Sequence, residues 1–380
     1  MTNKLALTPP MGWNSWNAFG ELVDEKVIRE TADLLVSSGL QAAGYTYLVI
    51  DDFWHGGRDE HGNLFPDPVK FPSGMLALAD YVHARGLKFG IYSDAGSKTC
   101  GGQPGGMGHE TQDAETFASW QIDFLKYDWC NAPDTRADAE RLYSTMGKAL
   151  QATGRPILFS ICEWGHHRPW LWANTVGGHM WRTTGDIWDA WENGQESYHY
   201  GIDSIGFDQQ RDLDVYAGPG GWNDPDMLVV GLHGKGSIGG SGCTDIEYRT
   251  HFSLWCMLAA PLMIGADIRK LDAVSFETLT NPEMIAIDQD PLGRQGYRVA
   301  RQLVTEIWQK PLANGDLAVG LFNRSNQAAN ITAPWSDLLI DGEYQVRDLW
   351  QHKDMGFYSQ SYSAEVESHG CVMLRLSAVK

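Results

Sequence analysis

Lys126 and Asp128 stand two residues apart in the run Phe124-Leu-Lys-Tyr-Asp-Trp-Cys130. Apolar and aromatic side chains, uninterrupted by Pro or Gly, make this run a short buried strand. Side chains alternate along a strand, so the ammonium and the carboxylate face the same way. A cation beside a carboxylate keeps it ionised, and an ionised carboxylate held at a strand end is a nucleophile. One Lys-x-Asp pair alone describes a structural ion pair equally well. Repetition sets this one apart: Asp51, Asp52, Asp94, Glu163, Asp186 and Asp267 also close apolar runs.

The elements that must hold these acids follow from the pattern. Runs at 11–16, 45–50, 87–92, 124–130, 156–162, 179–184, 221–228 and 261–265 read as strands. Helical periodicity occupies 24–38, 73–85, 112–121, 135–153 and 245–259, with a short helix near 169–174. Asp24 is placed to cap the first helix and Gly39 to end it. Strands alternating with helices over roughly 290 residues predict a (β/α)8 TIM barrel. The competing layout is an open doubly wound sheet, but no G-x-G-x-x-G follows the first strand. In a barrel, the C-terminal strand ends gather on one face, so the acids form a ring at one mouth. Structural roles account for some of them, such as Asp94 and Asp267, but not for all.

After Pro291-Leu-Gly293 the period changes to two, and no helix-length pattern intervenes. Asn314-Gly315 and Asp341-Gly342 are hairpin signals. The chain therefore divides into a barrel, 1–294, and a small antiparallel β-sandwich, 295–380.

Composition narrows the partners. The net charge is −19, from 29 Lys+Arg against 48 Asp+Glu. Such a surface repels phosphate backbones, which argues against nucleic acid. The longest apolar run, Met257 to Ala266, is broken by Pro261 and too short to cross a membrane. The first ten residues hold no apolar leader core, so the chain as written reads as cytoplasmic, or as secreted once a leader has been cleaved. The six Cys show neither C-x-x-C nor zinc spacing, and the adjacent His166 and His167 lack a third ligand, so no metal or cofactor is implied. Sixteen Trp offer flat apolar faces that suit the C–H faces of sugar rings.

Paired carboxylates in one pocket, with Trp and without a metal cluster, fit glycoside hydrolysis. One carboxylate attacks or activates water and the other protonates the leaving oxygen. Asp128 suits the ionised role. Asp186, followed by Ile187 and Trp188, suits the acid role if they desolvate it. Glu163 remains its alternative.

The motifs Met11-Gly-Trp-Asn-Ser-Trp16, Ile50-Asp-Asp-Phe-Trp54, Lys126-Tyr-Asp-Trp-Cys130, Cys162-Glu-Trp164, Trp181-Arg-Thr-Thr-Gly-Asp186 and Gly218-Pro-Gly-Gly-Trp-Asn-Asp-Pro-Asp-Met227 resemble those of the α-galactosidases of glycoside hydrolase family 27. The resemblance runs in order from the first strand to the end of the barrel. It implies a retaining exo-glycosidase acting on galactose-containing oligo- or polysaccharides, with Asp128 as nucleophile and Asp186 as acid/base. It also implies that Trp16, Asp51, Asp52, Lys126, Glu163, Trp164, His166, Arg182 and Asp226 bind the sugar. It implies a Cys100–Cys130 disulfide, against a reduced buried pair as the alternative. His166 is expected to fill the space that a 2-acetamido group would need. The alternatives are a sibling α-N-acetylgalactosaminidase or β-L-arabinopyranosidase, and a galactose-binding protein without catalysis. Oligomeric state is left open.

Overall fold

The computed structural model describes residues 5–192 and 199–379. Eight short strands carry the first unit: β1 (Met11–Asn14), β2 (Tyr47–Val49), β3 (Lys88–Asp94), β4 (Phe124–Asp128), β5 (Leu158–Ile161), β6 (Met180–Arg182), β7 (Trp222–Asp224) and β8 (Leu262–Ile264). All neighbours are parallel, in the order β8-β1-β2-β3-β4-β5-β6-β7. A parallel bridge from Leu228, just beyond β7, to Ile264 in β8 closes the curve into a barrel. Nearly every strand residue is buried, as expected of a parallel sheet covered on both faces.

The helices form where the sequence offers caps. The Asp24 side chain accepts from Val27 N at the start of α1 (Glu25–Ser37). Helices α2 (Gly74–His83) and α3 (Glu110–Ser119) follow β2 and β3. Thr135 caps α4 (Arg136–Ala152), and Thr244 with Glu247 forms a capping box on α5 (Asp245–Leu258). The regular alternation lapses twice. After β5 come two 3₁₀ turns, Pro169–Leu171 and Ala173–Val176. After β6 a two-stranded pair, Asp186–Ile187 with His199–Tyr200, leads into a π-turn at Asp203–Asp208. That excursion carries Asp186.

Large tryptophans brace the barrel mouth from inside the core. Trp13 Nε1 donates to Ala266 O at 2.8 Å, Trp54 Nε1 to Tyr92 O at 2.8 Å and Trp255 Nε1 to Asp226 O at 2.8 Å. These three tryptophans are structural: each ring fills core volume while its N–H satisfies a backbone carbonyl in or just beyond a strand.

After α6 (Ala273–Thr280) and α7 (Pro282–Asp288), the second unit begins at Tyr297. Six antiparallel strands between Tyr297 and Ala378 form one sheet, which packs on the pair Ala329–Pro334 and Ser361–Val366. Val319, Leu321, Val346, Leu374 and Leu376 meet Ile331, Ala333, Tyr362 and Val366 between the layers. Asn314-Gly315 does join two paired strands, with Gly315 at φ +88°. Asp341-Gly342 instead links the turn Trp335–Leu338 to the next strand, so it is not a hairpin.

The sandwich grips the Asp186 excursion. Arg324 Nε and Nη2 reach Asp203 Oδ1 and Oδ2 at 2.6 and 2.8 Å, and Arg324 Nη2 also reaches Asp208 Oδ2 at 2.7 Å. His369 stacks on Trp191 with ring centroids 4.6 Å apart. Paired carboxylates on a buried guanidinium fix geometry through its planar fork.

Candidate active site

At the C-terminal mouth of the barrel lies a cleft of about 510 Å³, counted with its open entrance. Asp51, Asp52, Lys126, Asp128, Arg182, Asp186 and Asp226 border it, as do Trp16 and Trp164. The sequence expectation therefore brought nine of its eleven residues to one cavity.

Asp128 ends β4 and is 5% exposed. Its Oδ1 accepts from Trp129 N at 3.0 Å and its Oδ2 from the Tyr92 hydroxyl at 3.0 Å. Burial pushes the carboxyl up to about 7, against the pull of the Lys126 ammonium. Lys126 does face the same way, but its ion pair is with Asp51, Nζ to Oδ2 at 2.8 Å. Asn14 Nδ2 donates to that same oxygen at 2.7 Å. Lys126 does favour the ionised form of Asp128, as expected, but it is ion-paired with Asp51, and desolvation outweighs its field at Asp128.

Asp186 presents a side chain that is 41% exposed. Ile187 also borders the cleft but is itself 1% exposed and packed in the core, so it does not enclose the Asp186 carboxylate as expected. Arg182 Nη2 reaches Asp186 Oδ1 at 3.0 Å and Asp226 Oδ2 at 3.1 Å. It also donates to Gly185 O at 2.7 Å. Asp226 Oδ2 accepts from Ile187 N at 2.8 Å, which ties the loop after β7 to the acid's own strand. Asp226 sits at φ +92°, a strained conformation for a residue other than Gly, at a site where such strain is commonly stored. Asp52 is held by Phe53 N at 2.7 Å and Gly101 N at 2.8 Å.

Glu163 and His166 are not among the cleft's lining residues. Ser160 and Cys162 point into the barrel, where they border a small cavity beneath the cleft with Lys126 and Arg182. Alternation then sends Glu163 outward, fully buried behind the wall. Its Oε2 accepts from His167 N at 2.6 Å and meets His167 Nδ1 at 2.9 Å, and burial pushes its carboxyl up to about 8. His166 is exposed because Trp164 and Gly165 both take positive φ and turn the chain away. Only Gly fits at 165, where a Cβ would lie 2.4 Å from Thr183 O. From this turn it is Trp164, not His166, that borders the cleft.

Asp94 and Asp267 are structural, as expected. Asp94 accepts from Gly96 N and Cys130 N at 2.7 and 2.9 Å, and burial, reinforced by Asp128, pushes its carboxyl up to about 9. Asp267 caps a 3₁₀ turn and pairs with Arg269 at 2.8 Å. Cys100 and Cys130 form a disulfide. The cluster of Asp94, Cys100, Asp128 and Cys130 is thereby left with two carboxylates and no thiolate.

Tyr92 and Asn14 were missed by the sequence reading. Tyr92 lies two residues before Asp94 on β3, and that spacing was the available signal for an inward-facing hydroxyl.

Comparison with known proteins agrees with this geometry. The model of the family described as "Alpha galactosidase A" matches residues 8–290. That of the "Alpha galactosidase C-terminal beta sandwich domain" matches residues 304–376. The chain is 48% identical to an alpha-galactosidase of Cyamopsis tetragonoloba over 99% of its own length and 87% of the relative's. It is 48% identical to alpha-galactosidase A of Cellvibrio japonicus, over 98% and 93%. The alpha-galactosidase of Saccharomyces cerevisiae, solved with raffinose, superposes with a TM-score of 0.94 at 30% identity, covering 99% of each chain. Matched in both of its units and along nearly its whole length, the chain belongs to the α-galactosidases of glycoside hydrolase family 27 and hydrolyses α-galactosides.

Proposed function

We propose that the chain removes terminal α-galactose with retention of configuration, through a covalent galactosyl-Asp128 ester. The observation that carries this reading is a buried carboxylate and a solvent-reaching one on the walls of a single cleft. Asp128 attacks the anomeric carbon as the glycosidic C–O bond breaks, and Asp186 gives its proton to the leaving oxygen. Asp186 then takes a proton from water, which attacks the same carbon and frees Asp128. The acid and base halves need opposite protonation states, which suits a group that reaches solvent.

Asp51, Asp52 and Asp226 offer acceptors, and Lys126 and Arg182 donors, to the hydroxyls of a neutral polyol. Trp16 and Trp164 offer faces to its ring. Raffinose, held by the yeast protein, supports small α-galactosides as substrates. The disulfide favours an oxidising compartment over the cytoplasm. Galactose released from a nitrophenyl α-galactoside, followed by proton NMR, is expected to appear first as the α-anomer and to mutarotate later. First appearance of the β-anomer overturns the covalent intermediate.

The pH profile follows from the burial of Asp128. The nucleophile must be ionised, so kcat/KM falls as pH drops through its folded pKa. Because burial raises that value, the acid limb stands above the ordinary carboxylate range. Tyr92→Phe removes a donor to the charged form, so the limb moves to still higher pH. A profile of kcat/KM for both proteins measures this, and an unmoved or lowered limb refutes the assignment.

A further inference from the structure

Asp186 stands on a two-residue strand outside the barrel sheet. That strand pairs with His199–Tyr200, so the second arm of the excursion sets where the first one lies. Backbone bonds extend the pairing. Trp188 N donates to Tyr200 O at 2.9 Å, Ile202 N to Ala190 O at 3.0 Å and Asp203 N to Trp191 O at 3.0 Å. The two arms are therefore coupled as one piece up to the turn at Asp203–Asp208.

The far end of that piece is held by the sandwich. Arg324 engages all five of its N–H donors on three carboxylates. Beside its bonds to Asp203, Nη1 and Nη2 reach Asp208 at 3.0 and 2.7 Å, and Nη1 reaches Glu306 Oε1 at 2.9 Å. Glu306 is fully buried on the sandwich and is itself held by Arg298 Nη1 at 2.9 Å and Trp308 Nε1 at 2.8 Å. Without the guanidinium, Arg298 and Arg301 would still stand near Glu306 and Asp208, but the mostly buried Asp203 would lose its charge partner. His369 grips the first arm. Its ring stacks on Trp191, and its Nδ1 lies 2.7 Å from Glu247 Oε1 at the capped end of α5.

We propose that Arg324 and His369 are positioning residues for Asp186, so that the sandwich serves the proton transfers of the reaction in the barrel. The proposal rests on the reading of Asp186 as acid/base given above. Asp128 ends a barrel strand, so loss of the clamp strikes one acid and spares the other. The first arm is also tied to the barrel loops, by Asp226 to Ile187 N and by Asp189 Oδ2 to Gly234 N at 2.7 Å. The clamp therefore refines the position of Asp186, and its loss is partial.

The test compares raffinose, whose alkoxide leaving group needs a proton, with α-galactosyl fluoride, whose leaving group does not. Arg324→Met keeps the stem and removes the fork. Its kcat/KM is expected to fall about five- to twentyfold on raffinose and to stay within about twofold on the fluoride. Its kcat on the fluoride falls with a burst, because the second step still needs Asp186 as base. His369→Ala is expected to show the same pattern at about two- to fivefold, and it decides the matter where Arg324→Met fails to fold. Arg347→Met is the control. It breaks another tie of the sandwich to the barrel, Arg347 Nε and Nη2 to Glu283 on α7 at 2.6 and 2.7 Å. Its melting temperature should fall, but its kcat/KM should change alike on both substrates. An unchanged raffinose rate, equal losses on both substrates in Arg324→Met and His369→Ala, or a leaving-group dependence in Arg347→Met overturns the positioning role. Absence of that dependence in Asp186→Ala strikes instead at the acid/base reading.

Discussion

Asp128→Asn is expected to lower kcat on every α-galactoside by about 10⁴-fold or more, roughly 5.5 kcal/mol of barrier. An amide cannot form the ester through which the sugar passes, so the first chemical step is lost rather than slowed. The fold should not suffer. Asn retains an oxygen to accept from Trp129 N or from the Tyr92 hydroxyl. Burying a neutral amide also avoids desolvating a charge, which is the cause of the raised Asp128 value. The melting temperature at neutral pH is therefore expected to hold or rise. A second variant reads the geometry as well as the rate. Asp128→Gly leaves a space behind the anomeric carbon that azide can enter, and the product is then β-galactosyl azide. Wild-type activity in Asp128→Asn, or α-azide from Asp128→Gly, would remove Asp128 from the role of nucleophile.

Which parts of this site were legible in the sequence depends on how local the governing rule is. Two-residue alternation placed Lys126 and Asp128 on one face, and the structure has both in the cleft. The same alternation applied to β5 turns Ser160 and Cys162 inward and Glu163 out. A ring of strand-end acids, taken as one set, overlooks that sign. Asp128 is buried at the end of a barrel strand while Asp186 sits in a separate strand pair with its side chain 41% exposed, a difference that apolar neighbours such as Ile187 do not report. His166 was misplaced because two consecutive positive-φ residues reverse the chain there, one of them Trp164, a residue type that gives no warning of it. The barrel and the sandwich were legible because periods of 3.6 and 2 survive in long windows. The sequence placed no helix between 184 and 221, but nothing in it told of the strand pair and π-turn that the described residues form there, held by contacts with the sandwich, Arg324 to Asp203 and His369 to Trp191. Long-range ion pairs of that kind leave no mark in a local window.

Asp186→Ala separates the two acids by leaving group. Departure of a sugar alkoxide needs a proton, so kcat/KM on raffinose is expected to fall by about 10³-fold. Fluoride leaves without that help, so formation of the galactosyl-enzyme from α-galactosyl fluoride should be nearly unaffected. The second step still lacks its base. The ester on Asp128 therefore accumulates, and the reaction shows a burst followed by slow turnover. Azide needs no deprotonation, so it should restore turnover and yield α-galactosyl azide, opposite in configuration to the product of Asp128→Gly. Glu163→Gln is the control: a carboxyl behind the wall, bonded to His167, has no path to the leaving oxygen. Its loss should act alike on raffinose and fluoride, without a burst. Equal losses on the two substrates in Asp186→Ala, or a leaving-group dependence in Glu163→Gln, would move the acid/base role away from Asp186. The carboxyl buried behind the barrel wall and the one that reaches solvent at its mouth would then have exchanged functions, and burial would no longer explain which of them serves as the acid.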